Sequence, residues 1–268
     1  MPLDSMPQRE FVYKMNRLEG TNKKGILKPD ADGCYTMCIG ALDHASKNLE
    51  ANGQNVYYSS QGANRFFDKG TIFHSRIQGG FIKAEYGHPK RDGMSERQFL
   101  ERNLSIDERM TCATFVEIWL VPDYVDPNTG EKCVGIFGKF KPSGPYADAL
   151  VRDLETAGVN VCFSIRSLTT RKIINGRLCK LLRTVITFDF VNEPGISAAE
   201  KLVSPSMEQQ HHRLDGPADI EVTEHTLRKV LDRAADGKVS VESGMLHLLK
   251  EVEMSFQRTT RTTRTHGW

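Results

Sequence analysis

The spacing of apolar positions along this chain changes twice, near Gly80 and near Val203, and each change marks a boundary in the predicted structure. Before Gly80 the pattern is short-ranged. Phe11–Met15 and Tyr35–Ile39 read as brief strands, and Asn52-Gly53 and Gly79-Gly80 as turns. From Gly80 the signal sharpens. Phe81–Tyr86 alternates as a strand and runs into Gly87-His88-Pro89, where proline stops it and holds His88 extended. Ser95–Leu104 reads as a helix with Ser95 as cap and Gln98 completing a capping box. Thr111–Val121 and Cys133–Phe140 are β-branched and aromatic, and they flank Pro127-Asn128-Thr129-Gly130, so an antiparallel hairpin is predicted. Tyr146, Leu150 and Leu154 fall at helical spacing after Pro145, and Gly158 ends that helix. Val159–Ser167 returns to strand, Asn175-Gly176 marks a turn, and Leu178–Val191 is a long β-rich run broken by Pro194-Gly195.

After Val203 the chain turns polar and aperiodic through Ser204-Pro205 to His211-His212, which suits a linker over 204–221. Val222–Ala235 and Val241–Phe256 then read as amphipathic helices, with Leu227, Val230 and Leu231 and then Leu246, Leu249 and Val252 on their apolar faces. The domain expectation is therefore a core over 1–203, a linker, and a helical tail over 222–268 with a basic terminus.

Composition narrows the function classes. The chain has 268 residues with 36 Lys+Arg against 34 Asp+Glu, a balance that argues against a dedicated nucleic-acid binder. Its end is the exception, with Arg258, Arg261 and Arg264 and no acid among them. Charged residues interrupt Met1–Gly20, which does not read as a secretory signal, and no run approaches the roughly 18 apolar residues that span a bilayer. A soluble protein made in a cytoplasm is expected. The six cysteines lie in apolar runs without C-x-x-C spacing, which suits reduced, buried thiols. Cys34 and Cys38 with His44 lack an evident fourth zinc ligand, so no metal is expected.

Candidate chemistry centres on Val161-Cys162-Phe163-Ser164-Ile165-Arg166-Ser167. A serine attacks only when an imidazole accepts its proton, and that imidazole needs an acceptor on its other nitrogen. His88, at a strand end beside Gly87, is the candidate base. Asp189 interrupts an apolar strand and needs a partner there: a histidine, Arg183 or a turn amide would each serve. Cys162 shares a strand face with Ser164 and is an alternative nucleophile. Arg166 shares that face too, and could orient an acidic substrate, serve an oxyanion site or make a structural salt bridge.

From Gly80 to Glu200 the chain resembles the prohead core (maturation) serine proteases of tailed phages, of the T4-like and giant-phage type. Ala84-Glu85-Tyr86-Gly87-His88-Pro89 is similar to that family's G-E-L-x-H-P. The helix before Gly158 matches the run preceding the nucleophile, Phe163–Ser167 is similar to V-S-S-R-G, and Ile186–Pro194 to I-T-F-D-V-V-x-N-P. Ile165 replaces the usual second serine and leaves Ser164 as the nucleophile, Ser167 stands for a glycine, and so does Ala84. The resemblance implies catalytic roles for His88, Ser164 and Asp189.

It also implies an α+β fold: a mostly antiparallel, β-barrel-like core with a few helices, related to the herpesvirus assemblins, plus the helical appendage. The implied enzyme works without cofactor inside the procapsid in the host cytoplasm. It cleaves itself, then scaffold and capsid proteins, after glutamates with a small or apolar residue two positions earlier. Glu200, Glu208 and Glu242 are self-cleavage candidates on that pattern. Assemblin relatives dimerise, which makes a homodimer one expected assembly; no membrane or specific nucleic-acid partner is expected. The alternative is a non-enzymatic procapsid scaffold or core protein that retains the protease fold.

Overall fold

A computed structural model describes residues 25–50, 53–202, 224–236 and 250. The strand expected at Phe11–Met15, the linker and nearly all of the second tail helix lie outside them.

In chain order the elements are β1 (Tyr35–Leu42), β2 (His44–Leu49), β3 (Asn55–Ser59), α1 (Asn64–Phe67), α2 (Ile72–Gln78), β4 (Lys83–Glu85) and α3 (Glu96–Leu104). They continue with β5 (Thr111–Val125), β6 (Lys132–Pro142), α4 (Ala147–Glu155), β7 (Cys162–Ile174), β8 (Arg177–Val191) and α5 (Glu224–Ala235). The expected capping box is present: Ser95 Oγ accepts from the Gln98 amide while the Gln98 side chain accepts from the Ser95 amide. The β5–β6 hairpin forms, pairing from Ala113 with Pro142 to Val125 with Lys132; β6 is longer than the sequence predicts at both ends and β5 at its turn end. β7 and β8 meet in a tight turn at Asn175 (φ 49°) and Gly176 (φ 76°), the two left-handed residues that a type I′ hairpin requires.

The fold is mixed α+β and strand-rich, but the expected barrel is not closed among the described residues. The strands form two four-stranded sheets in the orders β1-β6-β5-β4 and β2-β3-β8-β7, antiparallel throughout except that β3 and β8 run parallel. One residue, Asp43 at φ 53°, separates β1 from β2 and carries the chain around a corner from the first sheet into the second. The sheets then face each other over an aromatic core. Phe115 lies 5.9, 6.0 and 5.8 Å, centroid to centroid, from Phe140, Phe163 and Phe188, and all four rings are fully buried. Face-to-face packing buries these rings without hydrogen-bonded closure. The nearest approach to closure is a single bridge between Tyr86 and Phe190, where the Gly87 amide donates to the Phe190 carbonyl (2.8 Å). That bridge brings the end of the first sheet against β8.

The segment after β8 is held along the start of β7. Phe163 N–H donates to Ala199 O and Lys201 N–H to Val161 O. The buried Lys201 ammonium donates to three carbonyls at the end of α4, those of Asp153, Leu154 and Thr156, at 2.6, 3.1 and 3.0 Å. A cation there complements the helix C-terminus and satisfies carbonyls that have no helical partner. Lys201→Met keeps the aliphatic stem and deletes the donors. It should cost about 2–3 kcal/mol and lower the midpoint of thermal unfolding by roughly 5–10 °C, read by circular dichroism. α5 rests on α3, with Val230 and Leu231 buried and Arg233 3.1 Å from Glu101.

Candidate active site

Alternation along β7 and β8 sorts the residues of the central motif. Phe163, Phe188 and Phe190 are buried in the core and Ile165 packs against it. Ser164 and Asp189 are direct partners across the two strands, so their side chains leave the sheet on the same face, and Arg166 follows two residues on. Ser164 is half-buried. Gly87, at φ 103°, adopts a conformation open to glycine and costly for other residues, and this turn leads from β4 to His88 beside β8. His88 Nδ1 lies 2.8 Å from Asp189 Oδ2. With Nδ1 so engaged, Nε2 is the ring's remaining nitrogen for a hydroxyl. Direct contact therefore joins His88 to Asp189, and strand register joins Ser164 to Asp189.

Asp189 is fully buried, and each of its oxygens meets two donors. Oδ1 accepts from the Glu85 amide (3.1 Å) and Arg166 NH2 (2.7 Å), Oδ2 from His88 and Arg166 Nε (2.8 Å). Burial pushes its pKa up, but the charge of Arg166 and the contacts with His88 outweigh burial and hold it at about 2. Of the partners considered for Asp189, the histidine is present. Arg183 is engaged elsewhere, donating to Thr170 Oγ1.

Of the roles considered for Arg166, its side chain makes the structural salt bridge, with Asp189 and Glu85. Its side chain is 4 % exposed, and NH1 donates to the carbonyls of Asn103 (3.4 Å) and Ser105 (2.9 Å). NH2 also reaches Glu85 Oε1 at 3.0 Å. A guanidinium has five N–H donors. Five acceptors surround this one, leaving none for an oxyanion. Glu85 is itself buried, takes both terminal nitrogens of Arg102 and accepts from the Asp107 amide. Sequence reasoning missed the roles of Glu85 and Arg102. The available signal was Glu85 in the same short motif as His88.

Cys162 is buried, and its thiol is pushed up to about 12, first by burial and then by the charge of Glu200. Such a thiol carries almost no thiolate near neutrality and is a poor nucleophile. All six cysteines are buried and free. No cluster able to hold a metal occurs among the described residues. His44 instead sits in a second buried polar group: its Nε2 lies 2.8 Å from Asp126 Oδ2, its Nδ1 faces Ala45 O, and Ser197 Oγ also donates to Asp126. Aspartate is central there, so the serine has no base and the group ties the post-β8 segment to the β5–β6 turn.

The self-cleavage candidates are unequally placed. The Glu200 carboxylate accepts from Asn128 and Asn160, and its backbone bridges Cys162. The bond after Glu200 is therefore built into the fold. Glu208 and Glu242 lie outside the described residues.

A model of the Peptidase S80 family matches residues 13–253. The chain belongs to the Peptidase S80 family. It is 31% identical over 217 residues, 79% of this chain and 77% of the relative, to the capsid maturation protease of Pseudomonas phage phiKZ. No solved structure matches. Membership makes this chain a peptidase, in agreement with the resemblance drawn from its motifs. The matched stretch includes His88, Ser164 and Asp189, and it begins well before Gly80, so β1, β2 and β3 belong to the peptidase as they belong to both sheets.

Proposed function

We propose that this chain is a serine endopeptidase of phage prohead maturation. The observation that carries the reading is the buried Asp189, bonded to His88 Nδ1 and paired in register with Ser164. His88 Nε2 takes the Ser164 proton as Oγ attacks the scissile carbonyl. Asp189 stabilises the resulting imidazolium, which then protonates the leaving amine. Water, deprotonated by the same imidazole, releases the acyl group. Because the Arg166 side chain is fully engaged, the oxyanion falls to backbone amides near Ser164. The phiKZ relative's name supports capsid or scaffold proteins as substrates and the procapsid as the place of action.

Self-activation fits the same site. Cleavage after glutamate is assigned to Glu208 in Ser206-Met207-Glu208 rather than to Glu200, whose following bond is clasped between β7 and α4. Cleavage there would sever the covalent link to α5.

Treating the purified full chain with a fluorophosphonate and mapping the adduct tests the assignment: Ser164 is expected to be modified. A folded chain in which Ser164 stays unlabelled would sink it, as would inactivation by alkylation of Cys162 alone. Intact masses of any shortened product should place its new C-terminus beyond Leu202.

A further inference from the structure

The Ser164–His88–Asp189 reading uses one edge of a larger buried arrangement. Moving inward from His88 the charges alternate: Asp189, Arg166, Glu85, Arg102. The first three are almost wholly buried, and every donor of Arg166 and every acceptor position of Asp189 is filled from within the protein. Two carboxylates this close in a water-poor site would repel, and one would take up a proton. The guanidinium between them prevents that. Its planar fork also fixes the Asp189 carboxylate plane, since Nε and NH2 take one lone pair on each oxygen. Of the two positions left, the Glu85 amide takes one, so only the position facing His88 remains.

We propose that Arg166 is a positioning residue of the peptidase, which keeps Asp189 ionised with one acceptor position aimed at His88 Nδ1, and that Glu85 is the counter-charge that lets Arg166 be buried there. This rests on the catalytic reading above and extends it. A lysine cannot replace Arg166, because three donors around a point charge cannot satisfy five acceptors in these directions. The arrangement also reaches α3: Arg102 holds Glu85 from that helix, and the carbonyls of Asn103 and Ser105 at its end receive NH1.

The test is the rate at which a fluorophosphonate modifies Ser164, measured against pH on the full chain. Labelling needs the serine activated by its base and needs no identified substrate. In the wild type, Asp189 stays ionised across the accessible acid range, so the log rate should fall with a slope of one as pH drops. A slope of two, meaning Asp189 also takes up a proton there, would overturn the proposal.

Arg166→Lys and the charge-balanced double variant Glu85→Gln/Arg166→Gln should each label roughly 10- to 100-fold more slowly. The acid limb of the double variant should move up by about one pH unit, because loss of the cation lets the His88–Asp189 pair hold a proton more tightly; Arg166→Lys keeps the charge, so its loss of rate should come with a smaller shift. A purely structural role predicts a smaller folded fraction with the limb unmoved. A direct oxyanion role predicts an equal loss at every pH. In the double variant, an unmoved limb or an equal loss at every pH, with native near-ultraviolet dichroism, rejects the proposal. Ser164→Ala run in parallel separates the two levels: residual labelling at the site in that variant refutes the nucleophile itself, whereas a silent Ser164→Ala beside an unmoved limb refutes only the role of Arg166.

Discussion

Ser164→Ala should yield a folded protein that accumulates as the unshortened 30.2 kDa chain. On a peptide spanning Ser206-Met207-Glu208 its turnover should fall by about 10⁶-fold, the order seen when a hydrolase loses its nucleophile. The size of this effect comes from chemistry rather than packing. Ser164 is half-buried, and alanine keeps the Cβ that the β7 pleat presents. The unfolding free energy should therefore stay within about 1 kcal/mol of wild type. Intact mass over time together with a thermal scan checks both halves. Equal shortening of wild type and variant would remove Ser164 from the mechanism.

Asp189→Asn should damage both rate and stability. The amide leaves the shape nearly unchanged but turns one acceptor into a donor, and that donor must face either Arg166 or His88, both of which already donate. Loss of the orienting charge costs about 10⁴-fold in rate where this substitution is made in a serine–histidine–aspartate site. Here the residue is also fully buried against a guanidinium, and deleting one partner of a buried ion pair costs about 3–5 kcal/mol. A fall in the unfolding midpoint of about 10 °C or more follows for a domain of this size.

The stability half has a pH signature. The Asp189 carboxyl sits at about 2 in the folded chain, against an ordinary value of 3.8. Its contribution is therefore complete above pH 4 and is lost as pH falls toward 2. The gap in unfolding midpoint between wild type and Asp189→Asn should narrow as pH falls from about 4 toward 2. A gap that widens over that range would show that the folded state does not hold Asp189 ionised.

Much of this architecture was legible in local patterns. The capping box at Ser95, the hairpin at Asn175-Gly176 and the helix built on Leu150 and Leu154 are each decided by chemistry within a few residues, and each forms where the sequence places it. That Asp189 has a partner was also readable, because a carboxylate inside Val185–Val191 needs one; that the partner is His88 rather than Arg183 was not. Less legible was anything decided between distant segments. Whether the strands close into a barrel depends on how edges meet, and the corner at Asp43 gives no periodic signal. The burial of Arg166 depends on Glu85 and two carbonyls far earlier in the chain, so local sequence could not choose between a substrate role and the salt bridge that forms behind the aspartate. His44 shows the same limit: nothing in its local sequence points to its actual partner, Asp126, 82 residues away.

The single bridge between Tyr86 and Phe190 has a bearing on timing. His88 reaches β8 only because the strand before it is fixed in one sheet while Ser164 and Asp189 sit on the other. His88 and Ser164 lie 76 residues apart in the chain, and the proposed site forms only when the two sheets dock. During synthesis His88 emerges before either partner exists, and no subset of the chain that lacks the β7–β8 hairpin can assemble the three groups. On the proposed catalytic reading, hydrolytic power therefore waits for the completed tertiary structure. A peptidase built this way can be made among its own substrates without cutting them as it is being made.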